Sequence, residues 1–549
     1  MPKPQPSMPG LVIGGTGSNS GKTTLTLALL CALHERGLVA RAAKTGPDYI
    51  DAAFHANLTG QPAANLDTWM CRESAPSPAE RPLGGGRSSS TGLPAGLKRI
   101  FARMATPIQP QTVPFALGTP DVLVVEGAMG LFDGGHKGVG STAHLAALLG
   151  LPILLVLNAG GMGQSVAALA EGFLHHRPAW ARVRPMRFLG MVCTHVGSTR
   201  HAELLRQSLA PLNKSSGVPL LGLMPRQGAP TLPARHLGLV EAREVLPGVD
   251  RKALAQWAED NCDIDLLLRR AGAAALRRIP PVKVVTPVSL PQKQPEMPPA
   301  NSPAARFFPA STGTRRGKRC LRIGMAWDEA FSFCYADLPA VLGELKAEVV
   351  PFSPLRDTSP PAGCAGLYFP GGYPELHADR IADNAAMRAT LHSLAAQSMP
   401  IYGECGGYMY LMRSLLLNGQ QYAMSGLLPR SCILGQTKAA LGYRAALALA
   451  DWPTASNRTS SPPENSAPAR PLWVRGHEFH YAQEQPDPLP AQCSLLWQLH
   501  DSQGRLLRAD GCRTGSVAGS WLHCYPEGSR RFWRAWLGLC SAYLSAQGT

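Results

Sequence analysis

A glycine-rich loop between a strand and a helix constrains the fold of this 549-residue chain more than any other feature. The loop, GTGSNSGKTT at 15–24, follows the apolar stretch Leu11–Gly14 and leads into the breaker-free helical stretch Thr23–Glu35. Glycines let backbone N–H groups approach phosphate oxygens, and the helix N-terminus adds positive potential. The pattern therefore predicts a nucleotide-binding phosphate loop; a glycine-rich turn with a chance GKTT is the alternative. The interval from Gly15 to Gly21 is one residue longer than the usual spacing.

Individual loop residues have expected roles in binding ATP. Lys22 is expected to reach the terminal phosphates, and the Thr23 hydroxyl to ligate Mg²⁺. The other predicted ATP-binding positions are Gly15, Thr16, Gly21 and Thr24.

Acidic side chains follow two other predicted strands of the same half. Glu126 comes directly after the strand Asp121–Val125, and ligands bind at the carboxyl ends of parallel strands. A carboxylate there can hold Mg²⁺ against nucleotide phosphates. Asp133 lies in a glycine-rich loop at the same rim, and the segment KTGPDYID begins with Lys44 after the second strand. Their shared location predicts one site beside the phosphate loop.

Strands alternate with helices in both halves of the chain. Its length exceeds what one hydrophobic core usually supports, which favours two domains. We predict an α/β fold class with two doubly wound parallel-sheet domains, residues 1–270 and 319–549, joined by a Pro/Arg-rich linker at 271–318. In the first half the further predicted strands are Ile153–Leu157, Phe188–Cys193 and Leu220–Met224, and the helices Gln164–Phe173 and Arg200–Leu209. In the second half the strands are LRIGMA, AEVVPF, GLYF and MPIY.

Charge and cysteine usage exclude several classes of protein. The net charge is +16, but eleven Lys and Arg against one acid, Glu296, fall between Arg269 and Arg319. The bias therefore belongs mostly to the linker, and no nucleic-acid partner is predicted. No apolar stretch has the length of a membrane helix, so no membrane association is predicted. Thirteen cysteines without a CxxC pair fit a reduced, cytoplasmic compartment.

The second half carries a different motif, IYGECGG, in which Cys405 follows an apolar strand. G-x-C-G-G between a strand and a predicted helix, Tyr408–Leu417, is typical of a nucleophile elbow. The helix N-terminus is expected to favour a thiolate, and the N–H of Gly406 to stabilise an oxyanion. The loop PGGY, containing Gly372, is a candidate for the second oxyanion donor. An inert buried cysteine is the alternative.

Such a nucleophile needs a base, and three histidines are candidates. His523 lies near the C-terminus, and His477 and His480 lie in RGHEFHY. Spacing along the chain cannot choose among them, because catalytic triads form in space.

The two motifs in this order resemble the glutamine amidotransferases of corrinoid biosynthesis. The resemblance rests on motifs in both halves: GTGSNSGKTT, KTGPDYID, NLDTWM, VEGAMGLFDG, LPARHLGL, FPGGYPELHA, YGECGGYMYL and RGHEFHY. It implies a P-loop NTPase-like domain similar to dethiobiotin synthetase, followed by a class I glutamine amidotransferase-like domain. It also implies a carbon–nitrogen ligase that activates carboxylates with Mg²⁺ and ATP, apparently as acyl phosphates, and channels ammonia from L-glutamine.

The resemblance also assigns roles residue by residue. It implies that Cys405 is the nucleophile and His523 its base, and that Lys22, Thr23 and Glu126 bind nucleotide and Mg²⁺. The positions implicated in amidating the corrin are Asp48, Tyr49, Ile50, Glu126 and Asp133, and Lys44 of KTGPDYID is a further candidate at this site. The chain departs from the family where a second histidine usually follows the catalytic one by two residues, because Tyr525 stands there.

The substrate implied is cobyrinic acid, amidated at its a and c carboxylates in cobalamin biosynthesis. Hydrogenobyrinate and nickel-sirohydrochlorin remain alternatives, and formation of cobyric acid is less favoured by EGAMGLFDGG and DYID. A different class is a ParA-like ATPase that binds DNA through the basic linker, which leaves the elbow at Cys405 without a purpose. Oligomeric state, a homo-oligomer included, stays open.

Overall fold

The computed structural model describes residues 9–76, 93–106, 121–228, 249–272, 320–435, 437–449, 471–485 and 488–548. The motif LPARHLGL and nearly all of the predicted linker lie outside these ranges, as do most of two Pro- and Ser-rich stretches, residues 74–96 and 454–470, whose composition is typical of surface insertions. Contacts divide the chain into two compact units. The first comprises Met1–Thr68 and Arg81–Ala310, and the second comprises Trp69–Glu80 and Ser311–Thr549.

The first unit is built on a seven-stranded, wholly parallel sheet with the order β3-β2-β4-β1-β5-β6-β7. Its strands are β1 Gly10–Gly15, β2 Ala40–Thr45, β3 Ala64–Leu66, β4 Val122–Gly130, β5 Ile153–Asn158, β6 Phe188–Val196 and β7 Leu220–Pro225. Its helices are α1 Lys22–Glu35, α2 Tyr49–Thr59, α3 Ala95–Ala105, α4 Thr142–Leu149, α5 Ser165–His175, α6 Thr199–Ser216, α7 Arg251–Asn261 and α8 Ile264–Arg270.

The central strands β1 and β5 of this sheet are apolar and buried on both faces. Every residue of β1 is buried, and so are Ile153–Leu157 of β5. Continuous apolar strands are typical of parallel sheets enclosed by helices. The predicted α/β class is confirmed, and β1, which carries the phosphate loop, lies between β4 and β5.

The second unit has a ten-stranded mixed sheet with the order β21-β16-β15-β18-β19-β20-β11-β10-β8-β9. The strands from β20 to β9 pair in parallel, and those from β21 to β20 pair antiparallel. The parallel part includes β8 Leu321–Ala326, β9 Ala347–Phe352, β10 Gly366–Phe369, β11 Ile401–Glu404 and β20 Val517–Ser520. The antiparallel part contains β15 Ala440–Ala448, β16 Trp473–His480, β18 Ser494–His500, β19 Leu506–Thr514 and β21 His523–Cys524.

Helices and a smaller sheet complete the second unit. The helices are α9 Leu338–Glu344, α10 Ala378–Asp383, α11 Ala385–Ala396, α12 Gly406–Leu411 and α13 Arg530–Ala546. The four-stranded sheet has the order β13-β12-β14-β17 and consists of β12 Met412–Leu417, β13 Gln420–Ala423, β14 Leu428–Leu434 and β17 Ala482–Glu484.

One predicted element of this unit is wrong. The helix expected over Tyr408–Leu417 ends at Leu411, and Met412–Leu417 forms strand β12. Leu417 pairs with Gln420 across a two-residue hairpin loop, in which Asn418 and Gly419 have φ of 50° and 82°. Asn-Gly is the preferred sequence of such a turn, so tertiary pairing of a leucine-rich stretch prevails over its helical propensity.

Among the residues that the structure describes, no helix is both long and apolar enough to cross a membrane.

Candidate functional site

The phosphate loop joins β1 to α1 with its lysine folded back over the loop. Lys22 Nζ donates to the carbonyl oxygen of Gly17 at 2.8 Å and to Ser20 Oγ at 3.3 Å. Gly21 has a φ of 80°, a conformation that glycine adopts without steric cost. A Cβ at Gly15 would overlap Ser20 Oγ, so this glycine is needed for the close approach of the loop to its own strand.

Glu126 is the centre of a buried polar cluster beside this loop. The residue is fully buried, and in the sheet it is opposite Ile13 of β1 and Lys44 of β2. Its Oε1 accepts hydrogen bonds from Thr23 Oγ1 and Lys44 Nζ, both at 2.7 Å. Its Oε2 lies 2.8 Å from Nε2 of His55. The structure thus brings together Thr23, Lys44 and Glu126, which sequence reasoning placed at one site.

The charges of this cluster stabilise one another. Burial alone would raise the pKa of Glu126, but the Lys44 ammonium and the hydrogen bond with His55 lower it below its usual value. Lys44 also donates to Asp51 Oδ2 at 2.5 Å. Burial and the neighbouring Glu126 raise the pKa of Asp51 to about 6. Burial and Lys44 lower the pKa of Lys22. A buried carboxylate held ionised in this way is suited to bind a cation.

The segment after β2 is held at the same rim by its own hydrogen bonds. Asp48 Oδ1 accepts from the N–H groups of Ile50 and Asp51 and so caps α2. Asn65 Nδ2 donates to the carbonyl oxygens of Gly46 and Asp48 at 2.8 and 3.0 Å. Tyr49, half-buried, is the first residue of α2.

Asp133 lies on the glycine-rich turn after β4. Its Oδ2 accepts a hydrogen bond from the N–H of Gly130 at 2.8 Å, which fixes the turn. The charge of Asp133 acts on Lys22, where it favours the protonated amine.

His55 is a member of the cluster that sequence reasoning missed. The imidazole is fully buried and belongs to α2, one turn after Asp51. Residues four apart share a helix face, so the D-x-x-x-H spacing in DAAFH was the available signal.

In the second unit, Cys405 lies at a sharp turn between β11 and α12. Its φ of 50° and ψ of −108° are uncommon for a residue with a side chain, as the strained turn of a nucleophile elbow requires. The flanking glycines allow close packing, because a Cβ at Gly407 would overlap the backbone of Phe369. A Cβ at Gly406 would lie 2.8 Å from the backbone nitrogen of Gly372. The elbow and the PGGY loop are therefore in direct contact.

The thiol of Cys405 does not have the lowered pKa that the sequence predicted. Burial and the charge of Glu375 raise its pKa well above the usual value, and the N–H of Gly406 only partly opposes them. The following helix is only six residues long, so its dipole cannot outweigh burial. Cys405 is consequently a protonated thiol at neutral pH and needs a base to become nucleophilic.

His523 lies at the same edge of the sheet, close to the PGGY loop. A Cβ at Gly371 would overlap the imidazole Cε1 of His523, and the next residue, Gly372, adjoins Gly406. Cys405 N–H donates to the carbonyl oxygen of Ser520, three residues before His523, at 2.8 Å. Two histidine candidates, His523 and His477, come together, with their rings stacked at a centroid separation of 4.9 Å.

His480 occupies a separate environment. Its Nδ1 donates to the carbonyl oxygen of Ala482 at 2.7 Å, and its ring stacks on Trp521 at 4.4 Å. The ring of His480 is thus held by contacts with Ala482 and Trp521 at the end of β16.

Comparison with known proteins finds two family models that match different parts of the chain. Residues 11–240 match a family model described as the CobQ/CobB/MinD/ParA nucleotide binding domain. Residues 322–530 match the CobB/CobQ-like glutamine amidotransferase domain.

Curated relatives match almost the whole chain. A cobyrinate a,c-diamide synthase of Syntrophotalea carbinolica is 34% identical over 539 residues, covering 97% of this chain and 99% of its own length. The chain belongs to the a,c-diamide synthase family. A hydrogenobyrinate a,c-diamide synthase of Brucella suis is 35% identical over 517 residues, 94% of this chain and 98% of its own. One from a Sinorhizobium species is 36% identical over 520 residues, with the same two coverages.

Membership of the a,c-diamide synthase family confirms the resemblance read from the sequence. The chain is an amide-forming, glutamine-dependent ligase with a nucleotide-binding domain. The ParA-like alternative leaves the amidotransferase half unexplained, whereas the relatives account for both halves.

Proposed function

We propose that the chain amidates the a and c carboxylates of a cobyrinic-acid-type tetrapyrrole in cobalamin biosynthesis, using ATP, Mg²⁺ and L-glutamine. Residues 1–270 would carry out the amidation and residues 319–549 the hydrolysis of glutamine, with 271–318 as the linker. The observation that carries the proposal is the placement of Thr23 Oγ1, Lys44 Nζ and Glu126 Oε1 within 2.7 Å contacts beside a phosphate loop. The relatives' names supply the substrate class.

The proposed nucleotide site uses the first unit's own donors. Backbone N–H groups of the loop, including those of Gly15, Thr16 and Gly21, would bind phosphate oxygens. Thr24 lies in the first turn of the helix that follows. The Lys22 ammonium lies on the loop and supplies the point charge for the terminal phosphates. Lys22 Nζ donates to the carbonyl oxygen of Gly17, and binding of phosphate would replace this acceptor with phosphate oxygens.

Thr23 and Glu126 fit the proposed Mg²⁺. Their oxygens lie 2.7 Å apart, and hard oxygen donors are the ligands that Mg²⁺ prefers. Glu126 is kept ionised by Lys44 despite its burial. When bound, the ion would neutralise charge on the β- and γ-phosphates during phosphoryl transfer.

The corrin carboxylate would meet the nucleotide at the rim formed by the segment after β2 and the turn after β4. A carboxylate does not react with ammonia at neutral pH, because its leaving group would be oxide. Phosphorylation supplies a better leaving group, and the cations Lys22 and Lys44 stabilise the anionic carboxylate and phosphate. We assign Asp48, Tyr49, Ile50 and Asp133 to the positioning of the macrocycle at this rim.

The proposed glutaminase chemistry starts from a protonated Cys405. His523 accepts the thiol proton as sulfur attacks the glutamine amide carbon, and the N–H groups of Gly372 and Gly406 stabilise the oxyanion. His523 then returns the proton to the departing ammonia, and the thioester on Cys405 is hydrolysed to glutamate. The ammonia is channelled as neutral NH₃ to the acyl phosphate.

The stoichiometry tests this scheme directly. The protein is incubated with Mg²⁺, ATP, L-glutamine and cobyrinic acid, and ADP, glutamate and product amide are quantified. We expect one ADP and one glutamate for each amide formed. Amide formation without ADP would contradict activation as an acyl phosphate.

The second candidate substrate is the metal-free macrocycle, hydrogenobyrinic acid. Several relatives at 34–36% identity are named hydrogenobyrinate a,c-diamide synthases, so this macrocycle is a candidate as well as the cobalt-containing one. The same assay with the two macrocycles in competition distinguishes them by the ratio of their kcat/KM values.

A further inference from the structure

The position where the family usually has a second histidine is occupied by Tyr525, and its side chain has a defined place. Tyr525 is fully buried, and its ring packs edge-on against Tyr335 at 4.7 Å between ring centroids. Tyr335 belongs to the segment before α9, far from Tyr525 along the chain. The tyrosine thus acts as a packing support for a second tyrosine.

Tyr335 in turn contacts one of the two stacked histidines. Its hydroxyl oxygen lies 2.9 Å from Nδ1 of His477, and both side chains are buried. If the hydroxyl donates, Nδ1 is the acceptor and the imidazole proton stays on Nε2, which fixes the tautomer and the rotation of the ring.

His477 and His523 are held face to face by their backbones as well as by their rings. They are opposite each other in the antiparallel pair of β16 and β21, and their ring planes differ by 15°. A Cβ at Gly476 would overlap the carbonyl oxygen of His523, so the strands are in close contact there. The N–H of Tyr525 donates to the carbonyl oxygen of Arg475 at 2.8 Å. The strand pairing therefore keeps the imidazole of His523 against the face of His477.

The stacked partner is uncharged. Burial, with a smaller contribution from Arg444, lowers the pKa of His477 to about 3. Burial, followed by His477 and His480, lowers the pKa of His523, and a neutral His477 opposes the imidazolium less than a charged one would. His523 must become an imidazolium each time it accepts the thiol proton of Cys405.

We propose that Tyr335 and His477 are positioning residues that orient the imidazole of His523, and that Tyr525 supports them in place of the family's second histidine. The proposal rests on the proposed role of His523 as the base for Cys405. Catalytic bases in hydrolases are commonly oriented by a third group, and here a hydrogen-bonded, stacked imidazole performs that task.

The test compares glutaminase turnover in single variants of the full-length chain. Tyr335→Phe removes one hydroxyl and keeps the ring that contacts His477. Its matched control is Tyr408→Phe, which removes a buried hydroxyl that donates to Glu484 at 2.9 Å. We expect Tyr335→Phe to lower the glutaminase kcat by roughly tenfold with an unchanged KM for glutamine, and the control to keep it.

A second pair of variants keeps the proposal testable if Tyr335→Phe does not fold. We expect His477→Ala to lower the glutaminase kcat by about 100-fold, and His477→Asn, which restores a polar group near Nδ1, to recover part of it. Amidation with ammonium chloride should be close to wild type in both, and thermal unfolding, which the cavity in His477→Ala will lower, checks that each variant is folded at the assay temperature. A kcat at the wild-type level in Tyr335→Phe or His477→Ala would overturn the proposal, as would an equal loss in the tyrosine variant and its control.

His523→Ala separates this proposal from the one on which it rests. Full glutaminase activity in His523→Ala would show that the base itself is misassigned. Loss of activity in His523→Ala, together with wild-type activity in the Tyr335 and His477 variants, would leave the base in place and reject only its positioning.

Discussion

Replacing Glu126 with glutamine is the most informative single change in the first unit. The carboxylate is fully buried and accepts from Thr23 and Lys44, with His55 on its other oxygen. Glutamine has the same shape and keeps one oxygen to face Thr23 and Lys44, while its amide nitrogen takes the place of the oxygen that faces His55. Lys44 retains its ion pair with Asp51. The substitution therefore removes a negative charge without opening a cavity.

The structure suggests how large each effect should be. Weakening the charge-assisted hydrogen bonds should destabilise the fold by about 1–3 kcal/mol. Losing the carboxylate that would hold the proposed Mg²⁺ should lower the amidation kcat by roughly 10²–10³-fold, or about 3–4 kcal/mol of transition-state stabilisation. Glutaminase turnover should be retained, because Cys405 and His523 belong to the other unit.

The assay measures amidation with glutamine and, separately, with ammonium chloride, beside glutaminase turnover and the thermal unfolding midpoint. Glu259→Gln is the matched control, since Glu259 is a partly exposed carboxylate of the same unit paired with Arg36 at 2.6 Å. We expect Glu126→Gln to fail with both nitrogen donors and the control to remain active. Wild-type amidation by Glu126→Gln with either donor would refute the proposed Mg²⁺ and ATP site.

Further changes should separate the two chemistries. Cys405→Ser should abolish glutamine use and leave amidation from ammonia, and equal loss with both donors would contradict its role in ammonia supply alone. Lys22→Ala should stop amidation from either donor while glutaminase turnover continues, and normal amidation would reject its phosphate role. Gly371→Ala should lower the glutaminase kcat, because its Cβ would displace His523. Its control Gly343→Ala has open space and should be neutral; equal kcat values would disprove the steric argument. Burial raises the pKa of Glu375 to about 7, so the unfolded state releases this proton first and stability should fall as pH rises from about 4.5 through 7. Glu375→Gln should make the free energy of unfolding, measured by urea titration, fall less steeply with pH. An unchanged dependence on pH would contradict this role of Glu375.

The site of the first unit was largely predictable because its residues lie on strands or directly beyond them. Lys44 lies in β2 and Glu126 in β4, Lys22 and Thr23 begin the helix after β1, and parallel strands bring their carboxyl ends to one rim. His55 was not predicted, since a histidine within a helix has no such positional signal until its helix face is known. Its contact with Glu126 spans 71 residues and depends on packing of the helix against the sheet.

The second unit was harder to predict, for a physical reason. Its parallel strands and the elbow are apolar runs next to glycines, but the antiparallel strands carry mixed, partly exposed residues. Leu506 and Leu507 of β19, for example, are exposed, so the alternation typical of a half-buried strand is blurred. Spacing along the chain could not show how the three candidate histidines are arranged, because that arrangement depends on the antiparallel strands. The pairing of β16 with β21 brings His477 to His523.

The pKa of Cys405 shows a second limit of local reasoning. The position before a helix favours a thiolate, but burial within the folded unit has the larger effect and raises the pKa. Only the packed structure reveals which of the two prevails.

Mass spectrometry of the macrocycle tests the central claim most directly. Cobyrinic acid and hydrogenobyrinic acid are each incubated with the protein, Mg²⁺, ATP and glutamine labelled with ¹⁵N in its side-chain amide. We predict conversion of two carboxylates to carboxamides, with label in both, followed by no further amidation of at least one macrocycle. Hydrolysis of glutamine and ATP with neither macrocycle changed in mass would contradict the claim that this chain is an a,c-diamide synthase of corrinoid precursors.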